Sequence, residues 1–216
     1  MKTAIVIGAT GLVGSALVQL LLTNSKFDKV LTFGRRSADF NHPKLEEYVI
    51  DFDRPETWQH LVKGDVLFSA LGTTLKQAGG QNAQYKIDFT YQYQFAEAAA
   101  LNQVPVYVLV SSAGADPNSI VFYTRMKGEL ERQVKQLAFT SINIIQPGLL
   151  VGKRQEERTG EKVGYYVLKA VNRVGLFKSY QPIPAQTVAK AMLNAGNAAM
   201  PGTQMYALEK VFDLAE

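Results

Sequence analysis

A Rossmann-like, doubly wound parallel α/β sheet, with helices on both faces and a small C-terminal elaboration, is the fold class this sequence predicts. Three observations predict it. Apolar runs short enough for buried strands alternate with segments of helical spacing. A glycine-rich turn, Gly8-Ala9-Thr10-Gly11-Leu12-Val13-Gly14, occupies the first strand-to-helix corner. Later apolar runs end in Gly34, Asp51, Ala70-Leu71-Gly72 and Ser111-Ser112, and right-handed crossovers place ligands at the carboxyl ends of such strands.

Ala4 to Ile7 suits a buried parallel strand, and Val13, Leu17, Val18, Leu21 and Leu22 follow at helical spacing. Between them, Gly8 permits the tight turn, Gly11 has no side chain to block a pyrophosphate, and Gly14 lets the helix lie close to the strand. Backbone N–H groups at the helix start would hold phosphates. Lys29 to Phe33 reads as the second strand, ending at Gly34, and Leu45 to Ile50 as the third, ending at Asp51, with helical segments between strands. Val66 to Ala70 is the fourth strand, Tyr85 to Leu101 a helix, Val106 to Val110 the fifth strand, Tyr123 to Leu137 a helix, and Ile142 to Ile145 the sixth strand. Beyond Pro147-Gly148 the rhythm breaks. A charged stretch from Lys153 to Lys162 reads as a loop near the cleft or equally as solvated surface, Thr187 to Ala195 as a helix and Gln204 to Ala207 as a final short strand. With no repeat or linker, residues 1–216 form one domain, in which 148–216 supply the substrate side of the cleft.

Composition narrows the chemistry. At 47% apolar and 19% charged residues the 216-residue chain is ordinary globular protein. It contains no cysteine, which removes disulfides, thiolate nucleophiles and cysteine-ligated metals. His42 and His60 lack companion ligands, so no metal site is expected. The net charge of +4 is scattered and does not indicate nucleic acid. No apolar run approaches the roughly 18 residues of a membrane span, and Lys2 leads straight into a strand without a secretory leader. A cytoplasmic location is the resulting expectation.

The strand ends then suggest a reaction. In this architecture the second strand meets the adenine ribose roughly 20 residues after the glycines, where an acid selects NAD. Here the tip is Gly34-Arg35-Arg36, and two guanidinium groups suit the 2′-phosphate of NADP, although Asp39 lies nearby. Asp51 either accepts from the adenine amino group or caps the following turn. Leu71 and Gly72 let backbone approach the cofactor. Tyr123 and Lys127, four apart on one helix, share a face. With Ser112 they suit carbonyl reduction: Ser112 bonds the substrate oxygen, Tyr123 exchanges its proton, and the Lys127 charge eases ionisation of the phenol while holding the nicotinamide ribose. Composition alone yields roughly 0.7 tyrosine–lysine pairs at this spacing. Tyr165/Lys169 and Tyr206/Lys210 match as well, so position decides, and only Tyr123/Lys127 follows a serine-ended fifth strand. Ser111 competes with Ser112, since adjacent residues leaving a strand point to opposite sides.

The motifs GATGLVG, GRR, LGTT, SSAGAD and YTRMK together resemble the short-chain dehydrogenase/reductase superfamily in its atypical branch. The runs LGTTLKQAGG, KIDFTY, FYTRMKGELE and QPGLLVGKRQEER narrow the resemblance to the human Tat-interacting protein family of oxidoreductase-like proteins and its bacterial relatives, over nearly the whole chain. The resemblance implies NADP(H) held by Gly8, Thr10, Gly11, Leu12, Val13, Gly14, Arg35, Arg36, Leu71 and Gly72, with Tyr123 and Lys127 at the nicotinamide end. It further implies contacts from Leu150 backbone and from Arg158 in the charged loop. The superfamily often has asparagine where this chain has Asp88. The implied activity is hydride transfer to a small, unidentified carbonyl substrate. A cofactor-binding regulatory or sensor protein without turnover is the alternative from another class, and a sugar-nucleotide epimerase-like enzyme a third. Aromatic residues Tyr165, Tyr166, Phe177 and Tyr180, with Leu168, offer pocket walls or core. Self-association as a homodimer is left open.

Overall fold

The computed structural model describes residues 2–151 and 181–216. Its main sheet has seven strands: β1 (Lys2–Ile7), β2 (Phe27–Gly34), β3 (Leu45–Val49), β4 (Val66–Ser69), β5 (Val106–Val110), β6 (Ser141–Gln146) and β9 (Gly202–Ala207). They lie in the order β3-β2-β1-β4-β5-β6-β9, and every neighbouring pair is parallel. Strand order reverses between β1 and β4, so the loops leaving those two strands diverge and open the crevice in which doubly wound sheets bind ligands. Two further short strands, β7 (Leu150–Val151) and β8 (Ile183–Pro184), pair with each other beside the sheet.

The strand side chains alternate between two apolar layers. Ala4, Val6, Val66, Phe68, Val106 and Val108 pack on one face with α1 (Leu12–Thr23) and α6 (Ala185–Ala198). Ile5, Ile7, Leu67, Tyr107 and Leu109 pack on the other with α4 (Gln92–Leu101) and α5 (Phe122–Val134). Burial on both faces explains why the strands read as unbroken apolar runs.

The element order agrees with the sequence expectation, with informative differences. No helix joins β2 to β3, and β3 reaches β4 through two short 3-10 turns at Pro55–Thr57 and Gln59–Leu61. Trp58, between those turns, takes the place of a helix on that face: its ring stacks on Phe95 at 4.9 Å and its Nε1–H donates to the Asp51 carbonyl at 2.9 Å. The expected helix 85–101 begins earlier, as α3 (Gln81–Tyr85) preceded by the short α2 (Leu75–Ala78), and passes through a π-helical turn at Lys86–Tyr91 before α4. The pair β7–β8 and the terminal helix α7 (Glu209–Ala215) lack a periodic signal long enough to find by sequence.

Phe95 is fully buried among Phe33, Phe52 and Trp58. Phe95→Ala is expected to cost about 3–5 kcal/mol in chemical denaturation, the range for removing a buried phenyl. A loss below about 1 kcal/mol would contradict this account of the core.

Candidate functional site

The glycine turn leaves β1 at Ile7 and enters α1 at Leu12. Gly8 has φ +84°, and a Cβ there would sit 2.4 Å from the Ala70 carbonyl carbon at the tip of β4. The Gly11 N–H donates to the Gly8 carbonyl at 2.9 Å, closing the turn. A Cβ on Gly14 would lie 2.0 Å from that same carbonyl oxygen, so α1 packs against the turn backbone. Gly11 is the N-cap of α1, supplies no side-chain cap, and no acidic residue occupies the first turn. The helix therefore presents unsatisfied N–H groups and the positive end of its dipole to the crevice. Val13 points into the core and Thr10 is exposed, so what this segment offers a phosphate from Val13 is backbone.

At the tip of β2, Arg35 and Arg36 are exposed, and among the described residues neither forms an ion pair. The loop after them is held by Glu47 of β3, whose carboxylate accepts from the Ser37 hydroxyl at 2.6 Å and the Ala38 N–H at 2.8 Å. Glu47 escaped the sequence reading; its signal was a pair of carboxylates, Glu46-Glu47, inside an otherwise apolar run. Asp51 shows the capping contact, with its Oδ1 accepting from the Asp53 N–H at 2.9 Å. Uncapped helix N–H groups, and two guanidiniums without an ion pair among the described residues, fit the diphosphate and phosphate groups of a dinucleotide.

The tips of β4 and β5 carry the titratable groups. Leu71 is half-buried and Gly72 exposed. The next N–H, that of Thr73, donates to Asp88 Oδ1 at 2.7 Å, and Asp88 Oδ2 lies 3.7 Å from Lys127 Nζ. Both side chains of this pair are buried, 1% and 3% exposed, whereas the other ion pairs among the described residues are at least 42% exposed. Burial pushes the Asp88 carboxyl above its ordinary value, while the Lys127 charge and the Thr73 N–H pull it down. Lys127 Nζ also lies 6.0 Å from the centre of the Tyr123 ring, on the shared face of α5. Tyr123 is 38% exposed, so its ring borders open space.

The two serines are sharply distinguished. Ser111 is buried and donates to Glu131 of α5, which also accepts from Gln146 at 2.8 Å. Ser112 is half-buried, and its hydroxyl donates to the carbonyl of Ala113 at 3.3 Å. Of the competing tyrosine–lysine pairs, Tyr206 lies on β9 and Lys210 on α7, so they share no helix face. Leu150 lies in β7, paired with Ile183. Arg158, Tyr165/Lys169, Tyr166, Leu168, Phe177 and Tyr180 lie outside the described residues.

A continuous set of contacts thus joins the glycine turn to α5: Gly8 against Ala70, then Thr73 to Asp88, then Asp88 to Lys127. Fold and glycine turn together have the form of a dinucleotide-binding protein. Residues 8–198 match the model of an NAD(P)H-binding family. The chain is 37% identical over 221 residues to the protein fmp52, mitochondrial, of Aspergillus niger, covering 98% of this chain and 94% of that one. It is 33% identical over 213 residues to Protein HTATIP2 of Rattus norvegicus, covering 96% and 86%. Among solved structures, the Bordetella bronchiseptica enzyme WbmH in complex with NAD+ superposes with a TM-score of 0.71 at 17% identity, over 99% of this chain and 79% of that one. That likeness concerns the fold alone. The chain belongs to the NAD(P)H-binding family, and its sequence is similar to that of HTATIP2.

The relatives correct one expectation. Several are named as mitochondrial proteins, which overturns the cytoplasmic location inferred from sequence. That inference rested on the lack of a secretory leader and of an apolar span. Neither bears on import into mitochondria, which uses Arg-rich amphipathic addresses of different composition. Among the described residues no helix is long and apolar enough to cross a membrane.

Proposed function

We propose that the protein is an NADPH-dependent oxidoreductase acting on a small carbonyl or alcohol, built as one domain with residues 148–216 on the substrate side. The observation that carries this reading is the placement of Tyr123 over buried Lys127, in contact through Asp88 and Thr73 with the loop that touches the glycine turn. When bound, NADPH supplies the hydride from its nicotinamide ring. The chain's own residues supply the rest. The Ser112 hydroxyl donates a hydrogen bond to the substrate oxygen, and Tyr123 gives that oxygen its proton. Lys127 stabilises the phenolate left behind and donates to the ribose hydroxyls. Leu71 and Gly72 offer backbone to the cofactor and Leu150 to its nicotinamide, and the family resemblance assigns Arg158 a cofactor or substrate contact.

Arg35 and Arg36 support preference for NADPH, because a 2′-phosphate gains charge-assisted hydrogen bonds that a free ribose hydroxyl does not. Arg35→Ala is expected to weaken NADPH at least about tenfold, the effect of losing roughly 1.5–3 kcal/mol, and to leave NADH nearly unchanged. Fluorescence titration of both nucleotides checks this, and equal affinity of the parent protein for the two would remove the argument. The oxidoreductase reading itself is tested by following NADPH oxidation with aldehydes, ketones and quinones. Tight NADPH binding with no turnover of any of them would favour the sensor alternative.

A further inference from the structure

We infer that Asp88 is a positioning residue of this site: its carboxylate, fixed by the Thr73 N–H and by the π-helical turn that carries it, anchors the Lys127 ammonium where that lysine meets the cofactor ribose. The inference rests on the reading of Lys127 given above and extends it to a residue at which the superfamily often has asparagine. An asparagine offers a neutral amide to the lysine; this chain offers a second full charge.

The geometry gives Asp88 no other evident task. It is 1% exposed, at the inner face of a π-helical turn, and a Cβ added to Gly72 would approach its oxygens at 3.7 and 3.8 Å. The turn is braced by Gln92, whose Nε2–H donates to the Asp88 carbonyl at 2.7 Å and whose Oε1 accepts from Ser69 of β4 at 2.7 Å. Gln84 adds a bond to the Thr73 carbonyl at 3.3 Å. The Thr73 N–H thus holds the carboxylate directly, and Gln92 and Gln84 brace the backbone at the two ends of that bond.

Nearby charges are committed elsewhere. Glu129 accepts from the Tyr85 hydroxyl, Glu131 from Ser111 and Gln146, and Lys86 pairs with Asp53. Arg125 donates to the carbonyls of Ser119 and Ile120. Asp88 is the acid left for Lys127 among the described residues. A buried ammonium without this partner would either lose its proton or turn away, and both outcomes weaken its grip on a ribose hydroxyl.

The test is a double-mutant cycle read by NADPH affinity, using the parent, Asp88→Asn, Lys127→Met and the double variant. Asparagine keeps the acceptor for Thr73 and nearly the same shape, so the fold is retained. Asp88→Asn is expected to weaken NADPH about tenfold in the parent background and to have no further effect once Lys127 is methionine. An equal loss in both backgrounds overturns the inference, because Asp88 would then act without the lysine. So does unchanged affinity in Asp88→Asn.

Should a variant fail to fold, the unmodified protein gives a second reading. In protein carrying 13Cε-labelled lysine, the Lys127 resonance is expected to inflect in the acid range as Asp88 takes up its proton. A Lys127 signal flat through that range overturns the inference. This reading needs neither cofactor nor turnover, so a parent protein that bound no NADPH would refute the proposed function while leaving the Asp88–Lys127 coupling open to direct measurement.

Discussion

Gly14→Ala is expected to melt about 6–12 °C below the parent, and Gly11→Ala close to it. The difference follows from where each new methyl would go. At Gly14 it would lie 2.0 Å from the Gly8 carbonyl oxygen and 2.7 Å from the carbonyl carbon, both backbone atoms of a turn already closed by its own hydrogen bond. Relief requires α1 to move bodily off the end of β1, and that displacement disturbs a helix whose Val13, Leu17, Val18, Leu21 and Leu22 are all core. Overpacking of this severity costs about 3 kcal/mol or more, which in a chain of this length is a shift of about 2–4 °C per kcal/mol. At Gly11 the methyl would meet the same oxygen at 3.2 Å and the Ala70 carbonyl at 3.8 Å, a crowding that small adjustments relieve. Gly11 lies exposed at the helix start, where a phosphate is proposed to sit. Gly11→Ala should therefore weaken NADPH at least about tenfold while leaving the melting temperature of the free protein nearly unchanged. Thermal scans with and without NADPH separate the two effects. A Gly14→Ala protein as stable as the parent, or a Gly11→Ala protein stabilised by NADPH as strongly as the parent is, would contradict the account of this turn.

Tyr123→Phe is expected to lower turnover of any accepted carbonyl by about 10²–10⁴-fold, the usual worth of a positioned proton donor. NADPH affinity should stay within about twofold and stability nearly unchanged, because the ring is 38% exposed. Lys127→Ala contrasts with it on every count. That change strands the Asp88 carboxylate in a buried site, and breaking a buried pair by removing one partner costs about 3–5 kcal/mol. A Tyr123→Phe enzyme with parental turnover would remove tyrosine from the reaction, whatever the cofactor does.

Much of this architecture is legible before any coordinates. The strands follow from apolar runs that are continuous because both sheet faces are covered, and the glycine turn follows from contacts only glycine tolerates. The pairing of Tyr123 with Lys127 is legible from their spacing of four along α5. What escapes is whatever depends on tertiary neighbours. Asp88 can be located in the sequence, but its register against Lys127 depends on a π-helical turn that has no periodic signature. Glu47 and the two serines show the same limit. Which carboxylate holds the arginine loop, and which serine α5 claims through Glu131, is decided by side chains 10 and 20 residues away. The missing helix between β2 and β3 was overestimated from the rule of alternation. In its place Trp58 and Phe95 cover the sheet with aromatic rings.

The π-helical turn at Lys86–Tyr91 also bears on how such a site arises. A turn of this kind is an α-helix with one residue too many, and its ends continue as ordinary helix on either side. Deleting a single residue from it would restore 3.6 residues per turn and swing the segment before α4, Asp88 included, roughly 100° about the helix axis. The packing of α4 against the sheet would survive, and the buried carboxylate would leave the lysine. In evolutionary terms, a one-codon insertion or deletion at this point separates a lineage with a buried ion pair in its site from one with the lysine alone.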